Sequence, residues 1–258
     1  MNSQTVLVTG ASSGIGLEIA RLMAQQGYEL ILLARRKHLL DALAQELRAS
    51  CQAKVEVLEA DLAGPDAAQA VVDVLQARGL QVDVLVNNAG FGLLGDHLAL
   101  ESQSQFDMVQ VNIMALVQLT RLLLPGMIAR DRGGVLNVAS TAAFQAGPGM
   151  AVYYATKAFV LSYTEALHEE LCRTRLHVSC LCPGPTDTPF VDVAGMQGVK
   201  FFKLGAQPAA EVARFGVQAF QANRAVAISG FKNAFAAFLV RFTPRLALRK
   251  VIRALTRV

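Results

Sequence analysis

Short runs of Val, Leu and Ile alternate along this chain with longer stretches in which apolar residues recur every three or four positions. Runs of strand length occur at Thr5–Thr9, Glu29–Ala34, Lys54–Leu58, Val82–Val86, Gly134–Ala139, His177–Leu181 and Ala225–Ile228. Several are almost continuously aliphatic, as strands covered on both faces are. Between them the helical period runs through residues 15–26, 37–50, 65–78, 102–129, 151–174 and 209–222. Strand–helix alternation of this regularity predicts an α/β fold, a Rossmann-like doubly wound parallel sheet of about seven strands flanked by helices. Nothing reads as a linker before residue 230, so residues 1–230 are expected to form one domain. The stretch at about 184–208 breaks the pattern with prolines, glycines, Phe190, Met196, Phe201 and Phe202. Its length and its aromatics fit a lid over a ligand.

Beyond 230 the period returns as a helical extension over 231–258. Phe231, Phe235, Phe238 and Phe242 fall at helical spacing. Thr243-Pro244 then reads as an N-cap with proline at the first helical position. In the following helix Leu248, Val251, Ile252, Leu255 and Val258 share one arc, and Arg245, Arg249, Lys250, Arg253 and Arg257 share the other, with Leu246 as the exception.

Composition narrows the class. With 53% hydrophobic and 17% charged residues in 258, disorder is excluded over most of the chain and a large core is available. The net charge of +4 conceals a split. Residues 1–211 sum to −5, whereas residues 212–258 carry nine Lys/Arg and no Asp or Glu. The first residues have no basic segment followed by an apolar one, and no uninterrupted apolar stretch has spanning length. A cytoplasmic protein is expected. Cys51, Cys172, Cys180 and Cys182 lack paired metal-ligand spacing and the four histidines do not cluster, so no metal is expected.

Candidate chemistry starts after the first strand, at Thr9-Gly10-Ala11-Ser12-Ser13-Gly14-Ile15-Gly16. Glycines there let the backbone approach a pyrophosphate, whose charge the helix N-terminus favours. Enzymes that prefer NAD place an acid about 20 residues further on, to hold the ribose 2′-hydroxyl. This chain has Arg35-Arg36-Lys37 instead, and cations at a helix start are unfavourable without an anion. Arg35, helped by Arg36, would meet a 2′-phosphate, which points to NADP(H). Tyr153 and Lys157 lie four residues apart on a predicted helix and can meet. An ammonium nearby favours phenolate, so Tyr153 can exchange a proton with a carbonyl or alcohol oxygen. Ser140 ends the fifth strand, on the side where such sheets bind ligands.

In combination, TGASSGIG at 9–16, Asp61-Leu62, NNAG at 87–90, Asn112, Ser140, YYATK at 153–157 and PGPTDT at 183–188 resemble the classical short-chain dehydrogenase/reductase family in its NADP-preferring type. The resemblance spans about residues 5–230. It implies Tyr153 as acid/base, Lys157 lowering its pKa and holding the nicotinamide ribose, Ser140 on the substrate oxygen, and Asn112 on a proton-relay water. It implies cofactor contacts from Gly10, Ser12, Ser13, Gly14, Ile15, Gly16, Arg35, Asp61, Leu62, Asn88, Ala89, Gly90, Pro183, Gly184 and Thr188. It also implies a homodimer or homotetramer. The expected activity is NADPH-dependent reduction of a ketone or aldehyde to an alcohol.

Phe91, Phe144, Phe190, Met196, Phe201 and Phe202 near cleft loops fit a lipophilic substrate or a lid that packs on itself. A 3-oxoacyl thioester reductase of fatty-acid type is the alternative within the family, and a membrane-associated nucleotide-binding scaffold without turnover the alternative outside it. For 243–258, peripheral contact with the inner membrane surface and docking on protein both remain open; nucleic acid is not the expected partner.

Overall fold

The computed structural model describes residues 4–196 and 205–256. Phe201, Phe202, Arg257 and Val258 lie outside that range, as do the side chains of Leu255 and Thr256. Seven parallel strands form the sheet: β1 (Thr5–Thr9), β2 (Glu29–Ala34), β3 (Val55–Glu59), β4 (Val84–Asn87), β5 (Gly134–Val138), β6 (His177–Cys182) and β9 (Val226–Ile228). A two-residue pair, β7 (Thr186–Asp187) with β8 (Gln207–Pro208), lies apart. The order β3-β2-β1-β4-β5-β6-β9 reverses direction between β1 and β4. That reversal opens a crevice at the carboxyl ends of the strands, where such sheets take ligands.

Because side chains alternate across a strand, one parity feeds each face. Val6, Val8, Leu30, Leu32, Val84 and Val86 pack with Ile19 and Met23 of α1 (Gly14–Gln25), Leu40 and Leu47 of α2 (Lys37–Cys51), and Val212 and Phe220 of α8 (Ala209–Gln221). Leu7, Ile31, Leu33, Leu85 and Val135 pack on the other face. There they meet Val71 and Leu75 of α3 (Ala67–Ala77) and Leu119 and Met127 of α5 (Leu116–Arg130). Two hydrophobic layers therefore clamp the sheet, which is why its central strands read as nearly continuous apolar runs.

α5 continues α4 (Ser102–Val109) through one π-helical turn at Gln110–Ala115. The whole run, Ser102–Arg130, is long and apolar enough to cross a membrane by length and composition. The sequence pattern disfavours a spanning helix here, because polar residues interrupt the run. Two of those interruptions turn into the protein. Asn112 and Thr120 are buried, and Thr120 accepts a hydrogen bond from Asn87 of β4 at 3.1 Å. Asn87 also donates to Asn137 of β5 at 2.9 Å, forming a polar ladder between the central strands and the helices that cover them.

Past β9, α9 (Phe231–Val240) and α10 (Arg245–Thr256) form the C-terminal pair. The expected Thr243 cap is not made. Its hydroxyl donates back to Leu239 O at 2.9 Å, closing α9, and α10 begins one residue after Pro244. A threonine directly after a helix can satisfy that helix's last carbonyls as readily as cap the next one.

Candidate active site

The crevice is assembled from the loops that follow β1, β2, β3, β4, β5 and β6. Thr9, at the end of β1, stitches two of them together. Its Oγ1 accepts from the backbone N–H of Asn88 and of Ala89, both at 3.0 Å, and donates to Val86 O at 3.2 Å. Asn88 returns a side-chain N–H to Thr9 O at 2.9 Å. Gly16 permits this closure: a Cβ there would stand 2.3 Å from Asn88 Nδ2. Ser13 precedes α1 in extended conformation and no side chain caps the helix, so its first amides face the crevice without a protein acceptor.

At the end of β2 the two arginines differ. Arg36 Nη2 donates to Ser12 Oγ at 2.9 Å and Ser13 Oγ at 2.8 Å. Arg35 reaches the other way, its Nη1 4.0 Å from Asp61 Oδ2, and its side chain is 70% exposed. The sequence reading leaned on Arg35; the geometry puts Arg36 against the serines of the glycine-rich loop.

Ser140 follows β5 and anchors a short 3-10 turn at Thr141–Phe144, accepting from Ala142 N at 3.1 Å. Tyr153 and Lys157 project from α6 (Ala151–Glu170) and are both buried. The Lys157 ammonium donates to Val138 O at 2.8 Å and sits 5.9 Å from the centre of the Tyr153 ring. Burial pushes the Tyr153 phenol up to about 12, with the hydrogen-bonded Ser140 hydroxyl opposing, and pushes Lys157 down to about 8. Asn112 stands in the π-helical turn. It donates to Phe91 O at 2.9 Å and Thr156 Oγ1 at 3.0 Å, and its Oδ1 accepts from Phe91 N at 3.1 Å. Asn112 thus clamps the loop after β4 to α6. A Cβ on Gly90 would fall 2.9 Å from Asn112 Oδ1 and 3.5 Å from Lys157 Nζ, so glycine lets these groups converge.

One cavity of about 670 Å³ joins these parts. Gly10, Ser12, Ser13, Gly14, Ile15, Arg35, Arg36, Asp61 and Leu62 line one end. Asn88, Ala89, Gly90, Pro183, Gly184 and Thr188 line its middle, and Ser140, Tyr153 and Lys157 the other end. Gly16 and Asn112 are not part of the lining; behind it, Gly16 leaves room for the Asn88 amide and Asn112 holds Phe91. Phe91, Met196 and Phe190 of α7 (Phe190–Val193) line the cavity and also pack in one cluster around Tyr153, the Phe190 ring 5.4 Å from that of Tyr153. Phe144 does not: it packs beside Leu116 and Val160 in a separate cluster. Tyr154 stands against Gly147, where a Cβ would come 2.2 Å from its ring, and burial raises its pKa too. Sequence reasoning missed the walls supplied by the C-terminal pair: Asn233, Ala237 and Val240 of α9, and Leu248 and Ile252 of α10. Among the described residues no cluster of His, Cys, Asp or Glu is suited to a metal ion.

The model of the family described as short chain dehydrogenase matches residues 4–197. Ketoacyl reductase HetN of Nostoc is 34% identical over 71% of this chain and 64% of its own length. A short-chain dehydrogenase from Sphingobium yanoikuyae, solved with NADPH, is 33% identical, covers 88% of both chains and superposes with a TM-score of 0.81. A 7β-hydroxysteroid dehydrogenase is 25% identical over 96% of both chains, with a TM-score of 0.86. With the family match running from β1 through the loop after β6, and every strand of the parallel sheet in place, this chain belongs to the short-chain dehydrogenases.

Proposed function

We propose that the protein reduces the carbonyl of a lipophilic ketone or aldehyde to an alcohol, with NADPH as cofactor. The observation that carries this reading is the convergence of Ser140, Tyr153 and Lys157 at one end of a cavity whose other end is the glycine-rich loop and Arg36. The residues present fit a phosphorylated dinucleotide: an uncapped helix start for the pyrophosphate, a crevice floor made narrow by Gly90, and arginines rather than an acid after β2. Gly10, Ser12 to Ile15, Asp61 and Leu62 would hold its adenosine half; Asn88 to Gly90, Pro183, Gly184 and Thr188 would hold its nicotinamide half. When bound, the reduced cofactor supplies the hydride that goes to the carbonyl carbon.

The chain's own residues do the rest. The Ser140 hydroxyl holds the carbonyl oxygen. Tyr153, kept protonated at neutral pH by burial, donates its proton to that oxygen as the new C–H bond forms. Lys157 is positive below about pH 8, and its charge offsets the phenolate that Tyr153 becomes. Asn112 and Gly16 act as positioning residues behind the lining. Residues 1–230 would then be the catalytic unit and 231–258 an extension that roofs it. Exposed Phe106, Met114 and Leu122 along the Ser102–Arg130 helix would serve a homodimer or homotetramer.

The likeness to HetN favours 3-oxoacyl thioester reduction as a second reading. The test is NADPH oxidation across ketones, aldehydes and acetoacetyl thioesters, with Tyr153→Phe as control. Turnover restricted to thioesters supports the second reading. Tight NADPH binding without turnover on any substrate removes both and leaves a nucleotide-binding scaffold.

A further inference from the structure

α9 and α10 have an inner and an outer side of different character. The inner side, through Asn233, Ala237, Val240, Leu248 and Ile252, is cavity wall. At 100° per residue, Phe231, Phe235, Phe238 and Phe242 fall in one narrow stripe opposite those α9 positions. They are 85%, 54%, 52% and 71% exposed. The rings pair along the stripe, Phe231 with Phe235 at 6.4 Å and Phe238 with Phe242 at 5.2 Å. Four such rings present roughly 500 Å² of apolar surface, as large as the biggest patch of an ordinary monomer. Exposed Leu239, Leu246 and Val251 extend it. Lys232, Arg241, Arg245, Arg249 and Lys250 surround it, all exposed, and residues 212–258 contain no side-chain carboxylate.

We infer that this outer face docks on an anionic lipid bilayer and brings the substrate cavity to the membrane surface. Cations around an aromatic stripe match phosphate headgroups above an acyl layer, which satisfy both features together. A second copy placed on this face by two-fold symmetry would set each copy's cations against the other's. A nucleic-acid backbone would neutralise the cations and leave the phenylalanines in water. On α10, Leu248 and Ile252 line the cavity, while exposed Leu246 and Lys250 stand on the opposite side of the helix. A lipophilic carbonyl compound can then enter from the bilayer beside α10 without crossing bulk water. The entry route rests on the carbonyl-reductase reading; the docking face does not.

The experiment is flotation of the full chain with vesicles of phosphatidylcholine alone and of equimolar phosphatidylcholine and phosphatidylglycerol. The wild-type protein is expected to float with the anionic vesicles, weakly with the neutral ones, and to be released near 1 M salt, where screening reaches about 3 Å. Each surface cation contributes about fivefold to partitioning. Arg245→Glu with Arg249→Glu should therefore lower binding at least about twentyfold. Phe235→Ser with Phe238→Ser should lower it comparably. Neither pair lines the cavity, so kcat/KM on a water-soluble ketone should stay at the wild-type value, which also certifies the fold. Absence of flotation, equal flotation with neutral vesicles, or unchanged flotation of both variants overturns the inference. So does a dimer in light scattering that Phe235→Ser with Phe238→Ser dissociates, or retention of RNA without vesicle binding. Flotation without NADPH oxidation on any carbonyl removes the reductase reading and the entry route, and leaves docking established.

Discussion

Replacing Arg36 by alanine separates cofactor selection from loop architecture. Its guanidinium spans Ser12 and Ser13 with hydrogen bonds of 2.9 and 2.8 Å, and on the NADPH reading it would add a ribose 2′-phosphate to that set. A hydrogen bond to a charged group contributes about 1.5–3 kcal/mol, a factor of roughly 10–150 in binding. Arg35, 70% exposed and 4.0 Å from Asp61, resembles a surface ion pair worth at most about 1 kcal/mol, or about fivefold. Steady-state kinetics with NADPH and NADH at a fixed carbonyl substrate read the difference. Arg36→Ala should cut kcat/KM for NADPH by about 10–150-fold and leave NADH near its wild-type value, because NADH has no 2′-phosphate to lose. Arg35→Ala should cost NADPH no more than about fivefold. Equal losses for both cofactors in Arg36→Ala would show that Arg36 merely braces the serines. A larger loss in Arg35→Ala would return the phosphate to the neighbouring arginine.

Tyr153→Phe should lower kcat by at least about a hundredfold while NADPH binding, followed by fluorescence, persists. Tyr154→Phe should remain active; loss of turnover there instead would reassign the acid. Lys157 gives a stability signature with a definite sign. Its folded pKa of about 8 lies below lysine's ordinary 10.5, so under pH 8 both states carry the proton and the cost of burying it is felt in full. Between pH 8 and 10 the folded form alone discharges and stability rises, by up to about 3 kcal/mol at completion. The Tm of wild type minus that of Lys157→Met should therefore increase from pH 7 to 9.5, and a flat difference would contradict the buried charge. Gly90→Ala sets a Cβ 2.9 Å from Asn112 Oδ1 and should reduce kcat with a smaller effect on Tm; unchanged kinetics would show that the loop yields freely.

The fold was legible because the central strands are buried on two sides, while edge strand β3 keeps Glu56 and Glu59 exposed. Leu7 and Val8 read as one aliphatic run although they serve opposite layers. The candidate site was legible where chemistry is tied to spacing, as for Tyr153 and Lys157 on consecutive helical turns or Gly10 to Gly16 between strand and helix. What escaped was orientation and remoteness. Adjacent arginines at 35 and 36 look equivalent until the turn after β2 sends one toward Ser12 and the other toward Asp61. Thr9, an ordinary strand-end residue by pattern, joins two loops through a single hydroxyl. Phe144 sits one residue from cavity-lining neighbours by number, yet its 3-10 turn aims it into another cluster. The π-helical turn that holds Asn112 leaves no mark in the hydrophobic period, since one added residue per turn is absorbed by an already apolar helix.

The cavity walls contributed by Asn233, Val240, Leu248 and Ile252 all lie beyond residue 197, where the family match ends. On the reductase reading, hydride and proton transfer would belong to one stretch of chain, and the shape of the space above them partly to another. A chimaera that keeps residues 1–230 and takes its last helices from a different short-chain dehydrogenase is then expected to inherit the donor's taste in substrates with this protein's catalytic rate.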